Sequence, residues 1–302
     1  MTISMIRLAL ATCRNLPEWE VDDVSLHEAL LARDVTLFRP AWDDRSFRYN
    51  DVDACLIRTT WDYQKRRDAF VDWARRVESC THLFNPAAIV EWNSHKTYLR
   101  DLQAWGVPTI DTIWLERGTQ PHLREMFQQR NWTRGFIKPA IGSTAWETLR
   151  FDVHDPAGID SAQRHVDRLI ESQTLLLQPY LARVETEGEV SVIFIDGNVT
   201  HCVQKIPQPG DYRVQDDFAA SDRLIDLPES ELTIARQALQ HVEAHFNMKL
   251  LYARADFLRD ASGNLCLNEF EAVEPSLFFR HCNEAAAGLA DALLARLAPT
   301  AG

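Results

Sequence analysis

The chain opens with an alternating pattern that predicts a strand. Ile6, Leu8 and Leu10 lie at every second position, as in a strand with one buried face. The residues that follow predict a helix at 26–31, strands at 35–38 and 54–57, and a helix at 66–77. Strands that alternate with helices favour a βαβ arrangement, so residues 1–94 are expected to form an α/β domain.

The next region predicts a helix that carries a lysine. Ser94 can cap a helix containing Lys96, Leu99 and Leu102, and Gly106 is placed to end it. A second structural unit is expected to begin at this helix.

Strands and tight turns dominate the rest of the chain. Asp196-Gly197 and residues 261–263 are turn sequences of the kind that join hairpin strands. The expected elements are strands at 135–139 and 174–178, hairpins of 189–195 with 199–205 and of 251–258 with 264–270, a helix at 232–246, and a closing Ala/Leu-rich helix.

The composition favours small-molecule partners. Thirty-two Lys and Arg against 44 Asp and Glu give a formal charge of -12, which opposes a general attraction to nucleic acid or to an anionic membrane. The apolar runs are too short for a membrane span or a signal segment. The six cysteines form no CxxC pair and are expected to be reduced thiols. We therefore expect a cytoplasmic protein.

The last predicted hairpin concentrates acidic side chains. Arg254 and Asp256 share one face of its first strand, and Glu269 and Glu271 share one face of the second. A short loop would bring Asp256 opposite the region of Glu269. Three oxygen ligands in one patch suit Mg²⁺ carrying phosphates. A solvated polar face of an edge hairpin explains the spacing equally well.

A lysine at a strand end precedes a loop of small residues. Lys138 is followed by Gly142, Ser143 and Thr144, whose amides are suited to surround a phosphate. The chain contains no GxxxxGK[ST] motif, so this is not a Walker loop. Taken alone, each of Lys138 and Lys96 is more often an ordinary surface lysine.

The order of five segments resembles the ATP-grasp superfamily. The segments are GFIKPAIGS, QPYL, HCVQKIPQPGDYRVQ, YARADF and NEFEAVEPSLFF. The resemblance covers nearly the whole chain and is strongest to the branch that contains bacterial glutathione synthetase, RimK-like ligases and the cyclo-ligase that closes the cycloserine ring. It implies a Rossmann-like N-terminal domain followed by two α+β subdomains of an ATP-grasp fold, at residues 1–94, 95–182 and 183–302.

The resemblance also implies roles for single residues. It assigns Lys96 and Lys138 to the ATP phosphates, with Ser143 in the phosphate loop. It places the adenine at a hinge formed by Gln178, Tyr180 and Leu181, and the ribose on either Glu185 or Glu187, between which the sequence does not choose. It assigns Lys205 and Arg213 to the phosphate or acyl group, Arg254 to the oxyanion, and Asp256, Glu269 and Glu271 to the metal.

Two departures from the family pattern stand out. The loop after Lys138 carries Trp146 and Glu147 where relatives have more glycine, and Glu271 stands where the second metal ligand is commonly Asn. The implied cofactors are ATP and two magnesium ions, with Mn²⁺ as an alternative metal. The implied reaction activates a small carboxylate as an acyl phosphate for attack by an amine or similar nucleophile.

Several alternatives stay open at this stage. A phosphotransferase or a non-catalytic nucleotide-binding module would carry many of the same residues. The product is either an intermolecular amide or a closed ring, and a homodimer is one option for assembly. The segment 58–63, with Arg58 and Trp61, follows a strand and serves either to recognise the acceptor substrate or to fill a contact between domains.

Overall fold

Three β-sheets follow one another along the chain. The structure is a computed structural model that describes residues 5–16, 20–214, 218 and 220–298. The first sheet has four parallel strands in the order β2-β1-β3-β4. Its elements are β1 (Arg7–Thr12), α1 (Val24–Leu31), β2 (Thr36–Phe38), β3 (Ala54–Thr59), α2 (Arg67–Glu78) and β4 (His82–Phe84).

Burial on both faces explains the apolar strands of this sheet. Every residue of β3 is buried, as is typical of a parallel strand covered by helices on two sides. Helix α2 packs on one face through Phe70 and Trp73, as its spacing predicts. The C-terminal helix α9 (Asn283–Leu297) packs on the other face beside α1, so the last helix of the chain completes the core of the first sheet.

The second sheet has four antiparallel strands in the order β5-β8-β6-β7. It is preceded by α3 (Ala87–Asn93) and α4 (Tyr98–Ala104). Its elements are β5 (Ile113–Leu115), α5 (Leu123–Arg130), β6 (Arg134–Pro139), β7 (Leu149–Asp152), α6 (Pro156–Ile170) and β8 (Leu175–Pro179). The loop between β6 and β7 is the small-residue loop that the sequence predicts.

The helix expected to contain Lys96 does not contain it, and that prediction is wrong. Helix α3 ends at Asn93, Ser94 follows its C-terminus instead of capping the next helix, and α4 begins only at Tyr98. The reason is a long-range hydrogen bond, because the Lys96 amide donates to the carbonyl of Ala140 at 2.7 Å. Lys96 therefore sits in a turn that is tied to the second sheet.

The third sheet has five antiparallel strands in the order β11-β10-β9-β12-β13. Its elements are α7 (Val184–Glu187), β9 (Glu189–Ile195), β10 (Asn198–Ile206), β11 (Ser221–Ile225), α8 (Glu229–Phe246), β12 (Tyr252–Arg259) and β13 (Leu265–Glu271). Both predicted hairpins are present. The first turns at Asp196 and Gly197, whose φ angles of 50° and 81° are the left-handed values that a two-residue hairpin loop requires.

Helix α8 and the turn region around α4 cover one face of the third sheet and share its core with Phe257 and Phe270. No helix among the described residues is both long and apolar enough to cross a bilayer.

Candidate active site

A cleft of about 350 Å³ is lined by residues from all three sheets and their loops. Its size is typical of a small-ligand site. The cleft wall contains these residues that the sequence singles out: Lys96, Lys138, Ser143, Gln178, Tyr180, Leu181, Lys205, Arg213, Arg254, Asp256, Glu269 and Glu271. The two alternatives for the ribose, Glu185 and Glu187, are not part of this wall.

The acidic hairpin has the register that its short loop predicts. Asp256 lies opposite Glu269, and Arg254 lies opposite Glu271. Arg254 is the hub of the patch, because its Nε and Nη2 donate to Asp256 at 2.9–3.1 Å and its Nη2 also donates to Glu271 at 2.5 Å. Glu269 turns toward the other sheet, where its Oε1 lies 3.1 Å from the Lys96 Nζ and 3.5 Å from the Lys138 Nζ.

A second basic group completes the acidic side of the cleft. Lys205 forms an ion pair with Glu189, and its Nζ lies 3.5 Å from Asp256. The Ser191 hydroxyl donates to Asp256 at 2.5 Å. Gly188 makes this packing feasible, because a Cβ at that position would lie 2.0 Å from the carbonyl oxygen of Lys205.

The three carboxyl groups have different pKa values, because their surroundings differ. Burial raises the pKa of Asp256, but Arg254 and Lys205 outweigh burial and hold this pKa below its usual range. Burial also raises the pKa of Glu269, but the positive charges of Lys96 and Lys138 outweigh burial, so this pKa lies below its usual value. Burial raises the pKa of Glu271 to about 7. The positive charge of Arg254 offsets only part of this increase, and the negative charges of Asp256 and Glu269 add to the increase.

The lysine side of the cleft offers groups suited to phosphate. Lys138 is buried and donates to the Asn268 Oδ1 at 2.8 Å, and burial lowers its pKa. Lys96 donates to the carbonyl of Gly142 at 3.0 Å. The Ser143 hydroxyl is buried and has no hydrogen-bond partner within the described parts of the chain. An unpaired buried hydroxyl beside two lysines fits a phosphate-bearing ligand.

The loop after Lys138 reaches its shape without extra glycine. Thr144, Ala145 and Glu147 have positive φ angles of 50°, 53° and 54°. Such angles are uncommon for non-glycine residues and carry a cost in backbone energy. The Glu147 carboxylate is anchored by Arg168 of α6 at 2.5 Å, so the loop is held to its own subdomain.

The hinge at the end of β8 presents backbone groups to the cleft. The Tyr180 amide donates to the carbonyl of Arg134 at 2.9 Å, whereas the Leu181 amide donates to no group that the structure describes. A free amide at this point suits a nitrogen acceptor such as that of a purine. The Tyr180 hydroxyl donates to Glu185 at 2.6 Å, and Glu187 pairs with Arg183 at 2.5 Å.

Arg213 lines the cleft from the segment between β10 and β11. Its guanidinium pairs with Asp211 at 2.6 Å and lies over the ring of Phe218 at 3.8 Å from the centroid. Arg213 holds the pKa of Asp211 below its usual range. Beside it, the ring of Tyr212 packs edge-on against Phe136 of β6, so this segment touches both sides of the cleft.

The residues of segment 58–63 lie in two different surroundings. Arg58 is 3% exposed, makes a 2.7 Å ion pair with Asp23 and donates to the carbonyl of Pro275 at 3.2 Å, so it joins the end of β3 to the segment after β13. Trp61 and Tyr63 line the cleft instead.

Two residues of the site, Glu189 and Asn268, could not be identified from the sequence. From the sequence alone, Glu189 is consistent with a solvated side chain. In the structure it is 6% exposed and pairs with Lys205 across the hairpin. A bulge after Val199 shifts the register by one residue and brings this pair together. Asn268 is the extra residue of a second bulge, so it reaches Lys138 although simple alternation would point it away from Glu269.

Magnesium alone is expected to bind weakly to the free protein. Among the described residues, no three acidic, histidine or cysteine side chains converge into a preformed metal site. Each of Asp256, Glu269 and Glu271 instead has an Arg or Lys partner, and a phosphate must replace that partner before the oxygen ligands are free. Isothermal titration with Mg²⁺ should show affinity roughly tenfold or more higher with a non-hydrolysable ATP analogue than without it. Equal affinities in the two titrations would contradict this prediction.

A parallel sheet followed by two antiparallel sheets that enclose a cleft of lysines and carboxylates is the architecture of an ATP-grasp ligase. Residues 8–85 match the family model described as the N-terminal domain of D-cycloserine synthetase DcsG. The chain is 31% identical over 268 residues to the cycloserine biosynthesis protein DcsG of Streptomyces lavendulae, which covers 85% of this chain and 88% of that protein.

Solved structures agree with this assignment. The crystal structure of D-cycloserine synthetase DcsG superimposes with a TM-score of 0.86 at 30% identity, over 97% of this chain and 100% of that one. The D-alanine–D-alanine ligase of Bacillus anthracis complexed with ATP gives a TM-score of 0.68 at 14% identity, over 97% and 98%. The ATP-grasp ligase PsnB with Mg and ADP gives 0.65 at 18% identity, over 96% and 98%.

The chain belongs to the ATP-grasp ligase family, in the group that includes cycloserine synthetase. The fold class expected from the sequence is therefore confirmed, and so is the reaction class, an ATP-dependent ligase that activates a small carboxylate for attack by a nitrogen nucleophile.

Proposed function

We propose that this protein closes a ring within a small amino-acid-like substrate, by activating its carboxylate with ATP and directing a nitrogen of the same molecule to it. The single observation that carries the proposal is the similarity over most of both chains to a cycloserine synthetase. Cycloserine is a serine skeleton whose carboxyl carbon is joined to a nitrogen on the side-chain oxygen. The corresponding open-chain compound is O-aminoserine.

The contacts of the cleft support a role for each charged group. Lys96, Lys138 and Lys205 line the cleft and would hold the phosphate oxygens of ATP, with the Leu181 amide at the adenine. Asp256, Glu269 and Glu271 would supply oxygen ligands for two magnesium ions, which neutralise phosphate charge when bound. Six free cysteines support a cytoplasmic location, where thiols stay reduced.

Arg254 is placed to stabilise the acyl group. Its guanidinium lies on the cleft wall between the acids and the carbonyl of Ser276, to which it donates at 2.8 Å. We infer that Arg254 orients the carboxylate and then binds the negative oxygen that develops when nitrogen attacks. The carboxylate oxygen first accepts the γ-phosphoryl group of ATP, and ADP is left. The nitrogen then bonds to the carboxyl carbon, and the bond between that carbon and the phosphate-bearing oxygen breaks. The phosphate leaves with that oxygen and with the proton that the nitrogen loses. The ring, ADP and phosphate are the products.

A trapping experiment tests the proposal. Each candidate compound is incubated with the enzyme, ATP, Mg²⁺ and hydroxylamine. Serine should give a hydroxamate in proportion to ADP, because it has no side-chain amine that could attack the activated carboxylate. O-Aminoserine and its ureido derivative, in both configurations, should give less hydroxamate than serine for the same ADP, because the internal nitrogen competes with the trap.

Two results would contradict the proposal. Release of ADP without hydroxamate or ring from any compound would favour the phosphotransferase. Ligation only when a second amine is added would show an intermolecular ligase. Mass spectrometry of the products distinguishes these outcomes.

A further inference from the structure

Three consecutive backbone carbonyls after β13 are each held by a different side chain. The Trp61 Nε1 donates to the carbonyl of Glu274 at 3.1 Å, and the Arg58 Nη2 donates to that of Pro275 at 3.2 Å. The Arg254 Nη1 donates to that of Ser276 at 2.8 Å. Two of these donors come from the end of the first sheet and the third comes from the third sheet, so the segment is fixed from two directions.

Asp22 adds further anchors to the same segment. Its carboxylate accepts from the Ser276 hydroxyl and from the Phe278 amide, both at 2.8 Å. Asp22 is 2% exposed, so these hydrogen bonds are shielded from water. The backbone that carries Glu274 is therefore preorganised before any ligand arrives.

The Glu274 carboxylate, in contrast, has no basic partner. It lines the cleft, and within the described residues it forms no ion pair and no hydrogen bond to another residue, since its backbone partner is its own amide. Asp256, Glu269 and Glu271 each have a basic partner. Burial, with a contribution from Glu271, raises the pKa of Glu274 to about 8. A partly buried carboxylate in this state is stabilised by any cation that a ligand brings to it.

The surroundings of Glu274 suit an ammonium group. Trp61, Tyr63 and Phe278 line the same cleft, and aromatic faces attract cations. Arg254 also lines the cleft, and in the proposed function it binds the carboxylate of the substrate. A guanidinium and an unpaired carboxylate in one small cleft match the two charges of an amino acid.

We propose that Glu274 is a specificity-determining residue that binds the α-ammonium group of the substrate. The enzyme would thereby select amino acids over carboxylic acids that lack the amine. This inference rests on the proposed function, and it names the substrate class of the same site.

Paired compounds and a charge-removing variant test the role of Glu274. O-Aminoserine is compared with 3-(aminooxy)propanoic acid, and serine with 3-hydroxypropanoic acid, since each pair differs only by the α-amine. ADP release is measured for the wild type, Glu274→Gln and the control Glu125→Gln, which removes one charge from the exposed surface of α5. In Glu274→Gln, kcat/KM for the amine-bearing compounds should fall roughly 10- to 100-fold, the scale of one hydrogen bond to a charged group.

The controls separate recognition from folding. The KM for ATP and the melting temperature should stay at wild-type values in Glu274→Gln, and Glu125→Gln should keep the wild-type preference. Glu274→Asp keeps the charge and should retain part of that preference, which identifies charge as the cause even if both variants are less stable.

Each other outcome is informative. A wild type that turns over both members of a pair equally, or a Glu274→Gln enzyme with its preference intact, overturns the role of Glu274 and leaves the ligase proposal standing. A wild type that releases no ADP with any compound of the panel contradicts the proposed function, and this inference falls with it.

Discussion

Replacing Glu269 by glutamine is expected to lower turnover about a thousandfold. Among the residues that the structure describes, its carboxylate is the one acid that pairs with both lysines of the phosphate side, at 3.1 Å from Lys96 and 3.5 Å from Lys138. In the proposed site its carboxylate would also hold magnesium. A metal ion supplies several kcal/mol of charge stabilisation in the transition state, and about 4 kcal/mol corresponds to a factor of roughly a thousand.

Glu271→Asn is the informative comparison, because it keeps an oxygen ligand and removes the charge. With a pKa of about 7, Glu271 holds a proton below neutral pH, and magnesium must displace that proton. The wild-type affinity for magnesium should therefore fall as the pH is lowered through 7. Glu271→Asn should remain active at saturating magnesium and should show a flatter pH dependence.

Turnover against magnesium concentration at pH 6 and pH 8 decides between the two residues. Glu231→Gln serves as the control, because Glu231 pairs with Arg259 and does not line the cleft. Equal losses in Glu269→Gln and Glu271→Asn, or an unchanged pH dependence in Glu271→Asn, would remove Glu271 from the metal site.

Replacing Arg254 by methionine is expected to lower the free energy of unfolding by about 3–5 kcal/mol. Arg254 is 7% exposed and is the shared partner of Asp256 and Glu271. Removing one member of a buried ion pair leaves the other charge uncompensated, which costs about this amount. The carbonyl of Ser276 would lose its donor as well. Denaturant unfolding followed by circular dichroism measures the change.

A second substitution separates the catalytic role of Arg254 from its structural role. Arg254→Lys keeps the charge but loses the planar fork, so it should retain more stability than Arg254→Met while kcat falls by roughly a hundredfold or more. Affinity for an ATP analogue should change little. Arg259→Met, on the same strand but outside the cleft, is the control. Wild-type kcat in Arg254→Lys would exclude an oxyanion role.

Strand alternation and turn residues were the sequence patterns that predicted the structure best. They predicted both hairpins of the third sheet and the position of Asp256 opposite Glu269, because a short loop leaves few registers open. Local pattern failed where a distant contact decides the structure. Lys96 lies outside a helix since its amide bonds to Ala140, which is 44 positions away by sequence number. Glu189 and Asn268 reach the site through bulges, which break the simple alternation.

The role of Glu274 could not be found from its position in the sequence. It follows β13 in a segment without periodicity, and what distinguishes it is that its neighbours are paired and it is not. The position of its backbone depends on Trp61 and Arg58, which donate to the carbonyls of Glu274 and Pro275. Both donors lie more than 200 positions earlier in the chain and meet the segment only in the folded molecule.

The hydrogen bonds that fix residues 274–278 also limit how this protein can be recombined with its relatives. Asp22, Arg58 and Trp61 belong to the N-terminal part of the chain, yet they set the backbone on which the substrate-facing side chain stands. A chimaera that exchanges only the first 94 residues would keep every lysine and carboxylate assigned to ATP and magnesium and still alter the shape offered to the substrate. The N-terminal domain and residues 274–278 should therefore be exchanged together in a chimaera. The second sheet, with the loop between β6 and β7, can be exchanged more independently.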